Sequence, residues 1–306
     1  MKAIYHRTVV RAGPTVEIIE TYPTKFGDGL TRENVSRVGV SSAAQEAYND
    51  ELAIRRLTRI LNENFKPEDW FITLHYEKHN RPKTLKESKT QLTYFLRKLA
   101  RRYSNAGFEL KYVKATAYGE RGALHHHIVI PKGLPISQIT KLWQAHIKSS
   151  IKARPPEYRA LYDTGEYSSL AAYIFSQVEK AKAPDDDFVD TFGAKHWTCS
   201  RNCRIPQPEP PKVIHDIKWK EPPTAWTGYY IDTDSIRADV NPVNGRPYLF
   251  YRMVKLPPGF FCYDDSGNRI TGSEAIKYTR RKNADWIKRN WKQINKAGAI
   301  IERRRE

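Results

Sequence analysis

Two histidines one residue apart, His125 and His127, lie in the run Leu124-His125-His126-His127-Ile128-Val129-Ile130, which stops before Pro131 and Gly133. The β-branched residues and the turn formers after them read as a strand. Strand side chains alternate, so His125 and His127 share one face and His126 takes the other. Two imidazoles held side by side on a stiff strand are preset for a divalent ion, because neutral imidazole is a common metal ligand. The plain alternative is a histidine run on an exposed edge. An ion that must still polarise a phosphate needs a third protein ligand and open positions. Glu120, on the preceding turn, can supply that ligand, or it is a solvated hairpin carboxylate. Mg²⁺ prefers oxygen, so at such a site Mn²⁺ should serve at least as well as Mg²⁺. Either ion would act as a Lewis acid on a scissile phosphate.

Composition indicates what the phosphate belongs to. The 306 residues carry 52 Lys and Arg against 34 Asp and Glu, a net charge of +18 spread along the chain. A polyanion is the expected partner, and nucleic acid fits better than membrane because no apolar run of about 18 residues exists. Aromatic residues make up 12% of the chain, enough to stack unpaired bases between positive charges, so single-stranded substrate fits. The start MKAIYHRTVV has no secretory h-region, and a cytoplasmic protein is expected. Cys199, Cys203 and Cys262 are too few for a disulfide framework and read as reduced thiols.

The elements that must position the histidines follow from periodicity. Residues 16–22 read as a strand, 42–64 as a helix, and Trp70 to Tyr76 as a second strand. Thr84 and Glu87 form a capping box for a helix that carries Leu92, Phe95, Leu96, Leu99 and Tyr103 and stops at Gly107. Phe108, Leu110 and Tyr112 alternate into a strand running to Tyr118, and Gly119 to Gly122 turn it back into the histidine strand. Ser137 is the expected cap of a helix through Ile139, Leu142, Trp143 and Ile147. A short irregular or strand segment over Leu161 to Gly165 leads to a helix from Ser168, with Tyr173 in its middle. This order predicts an α+β fold: a split-βαβ antiparallel sheet with helices packed on it and the histidine strand central. Pro206, Pro208, Pro210 and Pro211 suggest a boundary, giving an N-terminal region 1–66, a domain 67–205 and a basic C-terminal region 206–306. The last holds strands near Tyr229 and Tyr248 and a helix over 273–297 with Ile287, Trp291 and Ile294 in line.

These residues resemble the HUH endonucleases, the His-hydrophobic-His family that includes rolling-circle replication initiators of plasmids and single-stranded DNA phages. The Leu124 to Ile130 strand is similar to the family's metal motif, Phe71-Ile72-Thr73-Leu74-His75-Tyr76 to its upstream strand motif, and Tyr173 on a downstream helix to its nucleophile motif. Trp197 to Asn202 and Asn241 to Gly245 also resemble phage-type initiators. The resemblance covers residues 67–205 and implies the ferredoxin/RRM-like HUH sheet. It also implies a transesterification in which Tyr173 attacks a DNA phosphate, leaving a 5′-phosphotyrosine link and a free 3′-hydroxyl. Two positions depart from the pattern. The middle residue of the metal motif is His126 rather than an aliphatic one. The family often has lysine three residues after the tyrosine, where this chain has Ser176. Lys180, seven residues on and on nearly the same helix face, could meet the phosphate or the leaving oxygen; otherwise it is a surface lysine.

On this reading the partner is single-stranded DNA at a replication origin. The sequence has no Gly-x-x-x-x-Gly-Lys-Ser/Thr loop, so a host helicase and DNA polymerase would be needed. Two other readings stay open: a transposase or relaxase of the same superfamily, separated by the DNA it cuts, and a non-catalytic nucleic-acid-binding protein on the same sheet, which would show aromatics rather than a histidine pair on its central strands.

Overall fold

The computed structural model describes residues 5–21, 43–119, 123–148, 155–162, 164–179, 197–214, 221–241 and 247–296. In chain order the elements are β1 (Tyr5–Ala12), β2 (Thr15–Thr21), α1 (Ala43–Asn64), β3 (Trp70–His75), α2 (Leu85–Asn105), β4 (Val113–Tyr118), β5 (Leu124–Ile130), α3 (Ile136–His146), β6 (Glu157–Ala160), α4 (Ser168–Glu179), β7 (Thr198–Cys199), β8 (Lys212–Ile214), β9 (Tyr229–Val240), β10 (Pro247–Lys255), β11 (Phe261–Tyr263), β12 (Arg269–Thr271) and α5 (Gly272–Ile294). This is an α+β protein. The chain divides into two compact units, one Ile54–Ile205, the other Met1–Ala53 together with Pro206–Glu306.

The Ile54–Ile205 unit is built on an antiparallel sheet in the order β6-β3-β5-β4-β7, with the histidine strand β5 in the middle. Both faces of the sheet are covered, which is why β5 reads as continuously apolar beyond its histidines. On one face Ile72, Leu74, Ile128 and Ile130 pack with Phe95 and Leu99 of α2 and Trp143 of α3. On the other, Phe71, Ala115 and Val129 pack with Leu57 and Leu61 of α1 and Leu170 and Ile174 of α4. Each fully buried aliphatic side chain contributes about 1.5–3 kcal/mol.

The capping box at α2 takes a displaced form. Thr84 Oγ1 accepts from the Glu87 N–H at 3.1 Å, and Glu87 Oε2 accepts from the N–H of Lys83 rather than of Thr84, at 2.9 Å. Gly107, at φ +80°, ends the helix, and the Phe108 N–H returns to the Tyr103 carbonyl at 2.9 Å. The next strand then starts at Val113, not at Phe108 as the alternation suggested. Phe108 is exposed and laid over Gly133, where a Cβ would stand 2.7 Å from the Tyr103 ring and 3.2 Å from Phe108. Tyr112 spends its backbone groups on Ser200, donating to Oγ at 3.1 Å and accepting from the Ser200 N–H at 2.8 Å. Two further expectations shift. Pro135, not Ser137, precedes α3, and its carbonyl accepts from the Gln138 N–H at 2.9 Å. The segment before α4 forms its strand over Glu157–Ala160, upstream of Leu161.

The second unit overturns the expectation of a separate N-terminal region. Its sheet runs β8-β1-β2-β10-β9, so β2 pairs with a strand from the far end of the chain, Ile18 opposite Tyr251 and Glu17 opposite Arg252. The proline segment is not a free connection: the Glu209 N–H donates to the Val9 carbonyl at 2.8 Å, and β8 then pairs with β1. Ile287 and Trp291 of α5 close one face over Val16, Ile18, Leu249 and Met253. Glu17 and Arg252 form a buried ion pair at 3.2 Å, with Asp232 3.4 Å from the same guanidinium. No helix among the described residues is long and apolar enough to cross a membrane.

Candidate metal and nucleophile site

Cross-strand register builds the site. Thr73 and His75 of β3 stand opposite His127 and His125 of β5, and on the other side Ala115 and Ala117 of β4 stand opposite the same two histidines. The alanines leave room beside the rings. His125 Nε2 and His127 Nε2 converge to 3.1 Å. Two ligands of one ion at about 2.1 Å and a right angle stand about 3.0 Å apart, so the donor set fits a single divalent ion. The Nδ1 atoms are engaged elsewhere, His125 with the Ala123 carbonyl at 3.3 Å and His127 with Thr73 Oγ1 at 3.2 Å. Protonated there, both rings turn an Nε2 lone pair to the shared point, the usual arrangement behind a metal-ligating histidine. Phe71 stacks on His127 with centroids 5.4 Å apart. Burial, with the neighbouring His125 and His75, pushes His127 down to about 3, and burial also lowers His125. Both are therefore neutral and able to ligate at ordinary pH.

His126 faces the opposite core. It is fully buried and satisfied at both nitrogens, by Tyr76 Oη at 2.8 Å and Ser88 Oγ at 3.3 Å on Nε2 and by Thr116 Oγ1 at 2.9 Å on Nδ1. Burial holds its pKa well below the usual histidine range. An imidazole in place of an aliphatic residue is thus accommodated by a complete polar network.

Tyr173 reaches the histidine pair from α4. Leu170, Ala171 and Ile174 seat that helix on the sheet, and the Tyr173 ring stands edge-on to Phe71 at 6.0 Å and to His127 at 5.6 Å. It is 44% exposed, so its hydroxyl is open to a substrate. Tyr167 is 0% exposed, its hydroxyl has no hydrogen-bond partner, and burial raises its pKa well above the usual phenol value. It serves the core.

Glu120 and Lys180 lie outside the described residues, as does most of Asn241 to Gly245. Among the described residues no group of three His, Cys, Asp or Glu side chains forms a metal site. Sequence reasoning missed two residues beside the pair. His75 has its ring 6.1 Å from that of His125, and its Nε2 is 3.6 Å from Glu157 Oε1 on β6. His75 sits two residues after Thr73 in the alternation of β3, a signal that was available. Glu157 depends on the pairing of β6 with β3, which no local pattern shows. The Trp197 to Asn202 segment has a bracing role. β7 pairs with β4, and Asn202 Nδ2 donates to Glu109 Oε1 at 2.9 Å and to the Leu110 carbonyl at 3.1 Å.

The model of a family described as replication-associated protein, of the ORF2 type, matches residues 69–182. That stretch runs from the start of β3 past the end of α4 and includes His125, His127 and Tyr173. Comparison with curated proteins and with solved structures gave no match.

Proposed function

We propose that the protein initiates rolling-circle DNA replication as a site-specific single-stranded DNA endonuclease and strand transferase. The observation that carries this reading is the meeting of an exposed tyrosine with a convergent imidazole pair, Tyr173 against His127, inside the stretch matched by a replication-associated family. His125 and His127 would hold a divalent ion, Mn²⁺ or Mg²⁺, with Glu120 completing the set, and the bound ion would supply Lewis-acid polarisation of the phosphate. Tyr173 Oη attacks phosphorus as its proton passes to solvent; the Oη–P bond forms, the P–O3′ bond breaks, and the 3′ oxygen leaves as a hydroxyl after taking up a proton. Lys180 is proposed to meet that departing oxygen. The phosphotyrosine bond keeps the phosphodiester's energy, so a later 3′-hydroxyl can reverse the step and rejoin strands without a nucleotide cofactor. Phe71 and the α4 packing keep the ring of Tyr173 beside His127, which lowers the ordering cost of attack. Unwinding and synthesis from the new 3′ end fall to a host helicase and polymerase.

The test is to incubate the protein with single-stranded fragments of its own genetic element and Mn²⁺, and to search for a denaturation-resistant DNA adduct. A chelator-sensitive adduct on Tyr173 is expected. Strong single-stranded binding with no adduct under any metal would replace this reading with a non-catalytic nucleic-acid-binding one. Cleavage only at transposon ends or a transfer origin would make it a transposase or relaxase.

A further inference from the structure

We infer a second single-stranded DNA contact, remote in sequence from the catalytic strand, on the outer face of the β11–β12 ribbon. In β11 the middle residue, Cys262, points inward, its Sγ 3.8 Å from the Ala275 carbonyl and 3.6 Å from Thr279 Oγ1 of α5. Alternation then turns Phe261 and Tyr263 outward, where they are 45% and 61% exposed with ring centroids 6.2 Å apart. Across the ribbon Arg269 lays its guanidinium 4.2 Å from the Phe261 ring centroid. Single exposed aromatics are ordinary. Two neighbouring rings and a stacked arginine on the solvent side of a ribbon form the platform on which unpaired bases stack while a cation meets the backbone.

The platform is rigid. Asp264 Oδ1 accepts the N–H groups of Ser266 and Asn268 at 2.9 and 2.8 Å, closing the turn. Asp265 is clamped to α5 by Tyr278 Oη at 2.8 Å and Lys282 Nζ at 2.5 Å, so its charge is neutralised. Rings held in place lose little entropy when a base arrives. On α5 the exposed Lys277 and Arg281 extend the positive charge beyond the ribbon. Apolar partners would have no use for this charge, and duplex DNA presents no free base faces, so the combination selects single strands. The inference does not depend on chemistry at Tyr173.

The test measures binding of a fluorescent oligothymidylate and of a duplex to the full chain in chelator, where no adduct contributes. Phe261→Ala with Tyr263→Ala should weaken single-strand binding about tenfold or more while leaving the salt slope and duplex binding unchanged. Arg269→Gln should lower the salt slope by about one. Phe261→Tyr with Tyr263→Phe, which keeps both rings, should bind like the unaltered protein. Unchanged single-strand affinity in the double alanine variant, or an equal loss for duplex, overturns the inference. If that variant melts early, photocrosslinking of an iodouracil-containing strand to the unaltered protein decides instead: a crosslink to Phe261 or Tyr263 supports the contact, and its absence overturns it.

Discussion

The ring of Tyr173 meets the ring of His127 edge-on, at 5.6 Å and 71°, although they come from a helix and a strand well apart in the chain. Phe71 touches both, stacked on His127 and edge-on to Tyr173. One buried aromatic thus fixes the tyrosine relative to the imidazole pair. Phe71→Leu should preserve folding and metal binding yet slow adduct formation roughly tenfold at saturating DNA, because it loosens the attack geometry rather than removing a reacting group. An unchanged single-turnover rate would show that α4 holds Tyr173 without it.

Tyr173→Phe removes the hydroxyl with little change in packing. It should abolish the covalent adduct and leave single-stranded DNA affinity within about twofold, since phosphate and base contacts supply binding. Tyr167→Phe deletes a buried hydroxyl that has no partner, so the adduct should persist and thermal stability should stay level or rise. Peptide mapping of the trapped adduct checks both; a nucleotide on Tyr167 alone would falsify the assignment.

His125→Ala should lower adduct formation about a hundredfold or more and abolish calorimetric Mn²⁺ binding, while DNA binding in chelator persists. His127→Ala should add a stability loss, because this ring is only 2% exposed and stacked on Phe71. Full activity in His125→Ala would remove the ion from the pair.

The sequence alone favours His126→Leu as a silent change for activity, and activity below the melting point should indeed survive. Stability should not. Leucine strands Tyr76 Oη and Thr116 Oγ1 in the core, at a cost of about 2–4 kcal/mol. Thermal denaturation of His126→Leu beside Tyr76→Phe and the double variant measures it, the double losing less than the sum.

In the second unit Arg252→Met leaves Glu17 buried without its cation and should cost about 3–5 kcal/mol. Burial raises the pKa of Asp232 and the Arg252 guanidinium opposes that rise, so the variant raises it further. A carboxyl whose folded pKa lies above its unfolded value favours the fold below the unfolded value and loses that contribution as pH rises through the folded one. The stability gap between variant and unaltered protein should therefore widen as pH climbs through the carboxylate range, which denaturant titrations at several pH values will show.

The histidine strand was legible because one local rule, alternation, set both its bounds and its faces, and the 85–105 helix because an apolar stripe agreed with a cap and a glycine stop. Phe108 to Tyr112 misled for the same reason: they alternate, yet Gly133 and Ser200 claim them through contacts made elsewhere in the chain. Glu157 and the pairing of β2 with β10 carry no local signature, since each depends on register between distant segments. Glu120 and Lys180 remain proposals drawn from spacing and resemblance.

The pairing of β2 with β10 has a consequence for synthesis. Thr21 and Pro247 are 226 residues apart (247 − 21), and a ribosome adding about 5–20 residues per second needs roughly 10–50 s to cover that distance. The Ile54–Ile205 unit is one continuous stretch and can collapse as soon as it has left the exit tunnel. The β1–β2 hairpin, made before it, must wait with one edge unpaired until β10 arrives. Newborn chains should therefore show protease resistance in the Ile54–Ile205 unit before they show it in the hairpin.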